Sequence, residues 1–492
     1  MNALLIAVVA VPALGAGAAA VLGYLKKERA AAIAGTAFAA LGLVLAALLA
    51  LDHSGAPWSR VRTEWVPLLH LDFDLGVDGV SYPLVVLSGL LTLLCCAFTV
   101  WKKTDRPHLL IALLLIVDAG MLGVFLSLNL VLFFVFFEVV LLPMFAIIAG
   151  WGGANRRHAA VKFALYTLLG SLLLLVGIFV VVTGAETGDI IAITASGGGG
   201  LSRNTQLLAF VLLAVGLAIK APLWPLHSWL PDAHTEAPTV GSVILAGVLL
   251  KMGTYGLIRV AVGVAPEGAS RAALVLGVLA VVAILVAGLV CLAQTELKRL
   301  IAYSSVGHMG FVLLGIATLT PAGLTAALLG NIAHGLITGL LFFLAGAVKD
   351  RAHTGELARL GGLREVAPGL SGLLGFTALA SLGLPGLAGF WGEAFAVYAA
   401  IQRHQALWTV LAVLAAIGAA LAAAYLLRML RLVTHGGTGE AVAAIARPGL
   451  ARYEWASYTP LAAGALVLGL APFLVQAPIA EAVTGILQAV AR

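Results

Sequence analysis

The sequence predicts an all-α polytopic membrane protein of about 14 transmembrane helices, arranged as two inverted five-helix repeats with broken helices 7 and 12. Three observations carry this. Of 492 residues, 62% are hydrophobic and only 10% charged, a balance that soluble domains do not have. The apolar residues run unbroken for helix lengths, whereas the strands of a transmembrane barrel alternate polar and apolar positions. Two lysines, Lys220 and Lys251, fall deep within such runs, and Pro222 and Pro225 interrupt the first of them.

Taken in order, the spans fall near 2–23, 30–51, 80–100, 107–127, 128–149, 161–183, 206–230, 239–262, 271–291, 300–318, 322–346, 371–398, 406–430 and 457–477. Each is close to the ~20 residues a bilayer-crossing helix requires. The first span lacks a basic leader and is followed by KKER at 26–29, so it reads as a retained helix and not a signal peptide. Loop charges test the count. Nineteen of the 28 lysines and arginines lie on alternate loops starting from KKER, seven on the opposite set, and Lys220 and Lys251 in neither. The positive-inside rule then puts KKER inside and the acidic 52–79 loop outside.

Span seven is broken by Pro222 and Pro225, and span twelve, five spans later, by GLPGLAG at 383–389. A shift by an odd number of spans inverts topology, so the two breaks read as matching members of an inverted repeat. The chain then divides into helices 1–3 (1–106), a first repeat of helices 4–8 (107–262), a second of helices 9–13 (271–430), and helix 14 with the C-terminus (457–492).

The residues that could carry chemistry are ionisable groups inside these spans, because an intramembrane charge costs about 3 kcal/mol even on a mild insertion scale. Lys220 and Lys251 flank a short polar hairpin containing Asp232, His234 and Glu236, each about 14–18 Å from it by helix rise. A lysine held between apolar surroundings and a carboxylate can gain and lose a proton as its partner moves. Glu138, about nine residues into span five, reads either as a proton-holding group facing Lys220 or as half of a static ion pair that locks two helices. Glu393 follows the break of span twelve, whose freed backbone groups can bind water. His308 and His334 lie within spans and serve either as proton relays or as hydrogen-bonded packing. His227 and His234 are expected near the interface and His353 in an inner loop; Asp118 reads as a relay member or, preferably, as part of a helix–helix hydrogen bond.

Several functions are excluded. No CxxC pair, His/Cys cluster or GxGxxG fingerprint occurs, and Gly197–Gly200 lacks the Lys-Ser/Thr of a phosphate cradle; no metal or cofactor site is therefore expected in this chain. The net charge of +6 is spread over loops, as positive-inside bias requires, which argues against nucleic acid as a partner.

The blocks FEVVLLPMFAIIAGWGG, IKAPLWPLHSWLPDAHTEAPTVGSVILAGVLLKMGTYGLIR, LKRLIAYSSVGHMGFVLLG and GLPGLAGFWGE resemble the antiporter-like subunits of respiratory complex I, and within them the subunit M branch that is the counterpart of mitochondrial NADH dehydrogenase subunit 4. The resemblance runs from about residue 76 to 430. It implies a proton-translocating membrane-arm subunit of a bacterial NADH:quinone oxidoreductase in the inner (cytoplasmic) membrane, with no redox centre in this chain. FMN, iron–sulfur clusters and quinone would lie in partner subunits, and the lipid bilayer and neighbouring antiporter-like subunits would surround it. It also implies roles: Glu138 and Lys220 as a coupled pair, Lys251 as the connecting lysine, Glu393 as the terminal group, and His308 and His334 on the axis between. Related multisubunit sodium/proton antiporters usually carry lysine where Glu393 stands.

Overall fold

The computed structural model describes residues 2–51, 57–102, 104–447 and 449–490. Lys103 and Arg492 of the charge map lie outside them, as does the 52–56 part of the acidic loop. Among the described residues, 12 helices are long and apolar enough to cross a membrane, and each coincides with an expected span. A thirteenth is the bent pair Arg452–Leu470 and Phe473–Gln488, which turns through 69°. The remaining expected span, 371–398, consists of two 14-residue helices, Pro368–Ser381 and Ala388–Ile401. Neither half alone reaches across ~30 Å of hydrocarbon.

Both breaks sit where the sequence puts them. The helix Arg203–Lys220 stops at its lysine, because Pro222 and Pro225 lack the N–H donors that would continue it and their rings clash with the preceding turn. The carbonyls stranded by this stop are recaptured: Ala221 N–H donates to Leu217, Leu223 N–H to Ala218, and the Trp229 indole N–H to Ile219 at 3.0 Å. The chain then resumes as Trp229–Glu236. Asp232, His234 and Glu236 therefore lie on a helix, and not in a hairpin as expected. In the second break, Gly383 and Gly386 take φ of 77° and 90°, a left-handed backbone that glycine adopts without a Cβ penalty.

The expected acidic outer loop contains a feature the sequence reading missed. Ser59–Val66 and Leu71–Val77 form an antiparallel hairpin. Arg60 clamps it to the helical body, donating from Nη2 to Asp74 and to Asp189 at 2.6 Å each. Those bonds hold its guanidinium charged beyond its already high ordinary range. Arg62 adds bonds to Asp72 and Asp189.

Ion pairs sort the loops into the same two sets as the charge map. Lys102 binds Asp350, Lys162 and Arg299 both bind Asp232, and Arg351 binds Glu454. All of these join loops assigned inside. Arg60 with Asp189, Arg203 with Glu267, and Arg259 with Asp78 join loops assigned outside.

The three most enclosed helices carry Lys251, His308 and His334. Thr239–Val262 is buried along its whole apolar length, and Leu297–Ala317 and Pro321–Ala352 nearly so, whereas Asn2–Tyr24 and Glu28–Leu51 are buried over only a third. Gly247 and Gly335 face each other's backbones, so that a Cβ on Gly335 would lie 2.7 Å from the Gly247 carbonyl oxygen. Such small-residue contacts let membrane helices approach closely. This one brings Lys251 against His334.

Candidate functional site: a buried ionisable axis

Lys251 is wholly buried. Its helix is irregular on both sides, with π-helical stretches at Leu245–Leu249 and Leu257–Val262 around Leu250–Gly256. Such irregularities disturb the ordinary backbone ladder and recur at functional sites. The Lys251 ammonium uses one of the carbonyls there, donating to Ala246 O at 2.5 Å. Its second contact is His334 Nδ1 at 2.6 Å. The His334 ring meets the His308 ring edge-to-face with centroids 5.9 Å apart. His308 then bridges the two halves of the broken span twelve. Its Nδ1 lies 2.7 Å from Glu393 Oε1 on the second half, and its Nε2 lies 3.0 Å from Ser381 Oγ at the end of the first.

Gly383 leaves room for this arrangement, because a Cβ there would stand 3.0 Å from Glu393 Oε2. A cavity of about 20 Å³ sits among His308, His334, Thr338, Ser381 and Glu393. That volume holds about one water, and the lining supplies polar partners for it. Lys251, His334, His308 and Glu393 thus form one line of titratable groups in contact or a single water apart. His334 Nε2 has no protein partner, which leaves it free to exchange a proton with a water or with a neighbour that moves.

The first half of the axis is looser. Lys220 is 2% exposed, and its ammonium lies over the rings of Phe137 and Phe163, 5.2 and 5.7 Å from their centroids. Among the described residues, no ion pair within contact distance joins it to Glu138. Glu138 is only partly buried, and its Oε1 has no partner. A static locked pair is not what this geometry displays. The helices of Lys220 and Lys251 touch: a Cβ on Gly253 would lie 2.6 Å from Ala221 N.

One group differs from its expected place. His234 is completely buried, not interfacial; its ring stacks on Phe342 at 4.4 Å and neither nitrogen has a partner. Asp118 is buried, facing Thr92 of the neighbouring helix, and its Oδ1 has no partner. Ser381 and Lys298 were not singled out from the sequence. Ser381 carried no signal beyond its place before the Gly383 break. Lys298 counted as an inner-loop charge, although it is buried. Among the described residues, no three His, Cys, Asp or Glu side chains converge in a way that could hold a metal ion.

A polytopic helical membrane protein with broken helices meeting a buried line of ionisable groups defines the class. Residues 127–419 match the family described as NADH:quinone oxidoreductase/Mrp antiporter, TM, and the chain belongs to that family. Curated relatives include chain 4 and subunit M proteins. It is 47% identical over 307 residues to NAD(P)H-quinone oxidoreductase chain 4 1 of Synechococcus sp. (strain JA-3-3Ab), covering 62% of this chain and 58% of that one. It is 41% identical over 367 residues to NADH-quinone oxidoreductase subunit M of Rhodobacter capsulatus, covering 73% and 70%. The matched segment thus spans 58% of the first relative's length. Among solved structures, a chain of respiratory complex I from Thermus thermophilus with bound NADH superposes with a TM-score of 0.88 at 30% identity over 99% of both chains. A chain of the Mrp complex from Dietzia sp. DQ12-45-1b shares the fold, with a TM-score of 0.86 at 24% identity over 100% of both.

Proposed function

We propose that this chain is a proton-translocating membrane-arm subunit of an NADH:quinone oxidoreductase in a bacterial inner membrane. The observation that carries the reading is the buried line Lys251–His334–His308–Glu393, which links the Thr239–Val262 span to both halves of the broken span twelve. Glu138 and Lys220 extend it as a separated, adjustable pair. Electron transfer from NADH to quinone, with its flavin and iron–sulfur chemistry, belongs to partner subunits, beside neighbouring antiporter-like subunits. Its free energy reaches this chain as shifts in charge and hydration along the axis.

The energies fit. Moving one charge against 100 mV costs about 2.3 kcal/mol, and breaking a buried charge pair changes the local energy by roughly 3–5 kcal/mol. One pair opened and closed per cycle therefore matches the work per proton. The two broken helices, each carrying an ionisable residue at or after its break, also support a division into inverted repeats at 107–262 and 271–430.

The test is purification of the tagged chain from its native membrane, followed by an inhibitor-sensitive NADH:quinone reductase assay. Co-purified activity with flavin and iron–sulfur signals is the expected result. A clean complex that exchanges cations for protons and oxidises no NADH would instead support the exchange reading that the family description also covers.

A further inference from the structure

We propose that Asn331, acting through Thr254, is a positioning residue that holds Lys251 opposite His334 in both protonation states of the lysine. This rests on the proposed function of that pair and names what keeps it aligned.

The helices Thr239–Val262 and Pro321–Ala352 meet along one antiparallel seam. From the inner end outward, a Cβ on Gly346 would collide with the Thr239 side chain, Gly335 faces Gly247, His334 meets Lys251, and Asn331 meets Thr254. Lys251 and Thr254 are three residues apart, as are Asn331 and His334, so each pair shares one helix face. Span eleven therefore grips a single turn of span eight at two points.

That turn needs the second grip. The π-helical stretches Leu245–Leu249 and Leu257–Val262 interrupt the ordinary ladder on both sides of Leu250–Gly256, so the rest of the helix does not by itself fix the direction in which Lys251 points. Thr254 and Asn331 are both fully buried. Thr254 Oγ1 lies 2.9 Å from Asn331 Oδ1 and 3.3 Å from the Lys251 carbonyl oxygen. The hydroxyl has one hydrogen for these two acceptors. With the amide turned over, Asn331 donates to Thr254 Oγ1 and the hydroxyl hydrogen goes to the Lys251 carbonyl. Either way the bonds run from span eleven to the lysine's own turn.

Asn331 Nδ2 has no protein partner. A buried unpaired donor is a cost that leucine, of similar size, would not carry, so packing alone does not account for an amide here. The bond to Thr254 does. Neither an amide nor a hydroxyl titrates near neutral pH, so this contact is indifferent to the charge beside it. When Lys251 gives up its proton and its hold on His334 Nδ1 weakens, Asn331 and Thr254 keep the turn in register for the next one.

The test measures protons translocated per NADH oxidised across a range of pH, using the whole complex in proteoliposomes and the amount of variant chain in each. Asn331→Leu and Thr254→Val keep the side-chain size and remove the bond. Each is expected to lower the ratio to a value between the parent and Lys251→Met measured alongside, and to move the midpoint of its pH profile, because the lysine–histidine contact changes. The double variant is expected to pump no less than the weaker single one, since both remove the same bond. Thr254→Ser restores the hydroxyl and is expected to pump like the parent. If Lys251→Met lowers the ratio while Asn331→Leu and Thr254→Val match the parent, the positioning role is wrong and the proposed function stands. Losses that add in the double variant, or that leave the pH midpoint unmoved, would show that the two residues only pack and would overturn the role. If Lys251→Met also pumps normally, function and positioning fall together. Should Asn331→Leu not assemble, Thr254→Val and Thr254→Ser, on the other helix, decide by the same criteria.

Discussion

Lys251 Nζ lies 2.6 Å from His334 Nδ1 while also donating to the Ala246 carbonyl. An ammonium has only donors, so a charged Lys251 requires Nδ1 to accept; a neutral amine can go on donating to Nδ1 or accept from Nδ1–H instead. The contact therefore survives in both protonation states of the lysine, and a proton can pass along it without breaking it.

His334→Gln tests that sharing. A glutamine oxygen can accept from the ammonium, so assembly is expected to match the parent, but an amide does not take up a proton near neutral pH. Quenching of a pH-sensitive dye in inverted vesicles is expected to weaken while the oxidation rate with an uncoupler is retained. Equal dye quenching would mean that His334 only packs.

At the other end, Glu393→Gln keeps an acceptor for His308 and removes the charge. The expected change in stability is within about 1 kcal/mol, the usual net value of a hydrogen bond, with a clear loss of pumping. Ser381→Ala removes one contact of His308 and is expected to cost about 1 kcal/mol. Thermal unfolding of the purified complex separates the two: a large stability loss in Glu393→Gln would make that residue structural.

How much of this axis was legible depends on the neighbours of each residue. Lys220, Lys251, Glu138 and Glu393 stand out because apolar runs surround them, and the expense of a charge in hydrocarbon makes each visible. His234 was misplaced because Asp232 and Glu236 flank it. Those two carboxylates do reach the inner surface, where Asp232 binds Lys162 and Arg299 and Glu236 accepts from Asn155 N–H, while the ring between them turns inward. Lys298 was misread in the same way, as one of two adjacent basic residues of which only Arg299 faces out. The hairpin at 59–77 was hidden because Asp72 and Asp74 read as loop charge, and they pair with Arg62 and Arg60 only once the strands align. The two prolines marked the first break, but the π-helical turns around Lys251 left no trace in composition.

Gly253 is where the two lysine-bearing helices touch. A methyl there would meet Ala221 N at 2.6 Å and Leu217 O at 2.7 Å, both backbone atoms that cannot rotate away. Gly253→Ala is expected to destabilise the chain by about 1–3 kcal/mol through overpacking, read as a lower midpoint of thermal unfolding. An unchanged midpoint would mean that the helices are further apart than described.

The outer hairpin depends on Arg60. Asp74 is fully buried and Asp189 nearly so; removing Arg60 strands the Asp74 carboxylate and leaves Asp189 with Arg62 as its remaining arginine. Arg60→Ala is expected to cost roughly 3 kcal/mol, and protease cleavage within 57–77 should quicken while the helical body stays intact. Unchanged cleavage would show that strand pairing alone holds the hairpin.

The central claim is that protons pass through Lys251. The most direct measurement is the number of protons translocated per NADH oxidised by the reconstituted complex carrying Lys251→Met, which keeps the side chain's length and removes its charge. The expected result is a lower ratio, with the variant chain present in full amount and NADH oxidation continuing. An unchanged ratio in a fully assembled complex would contradict the account.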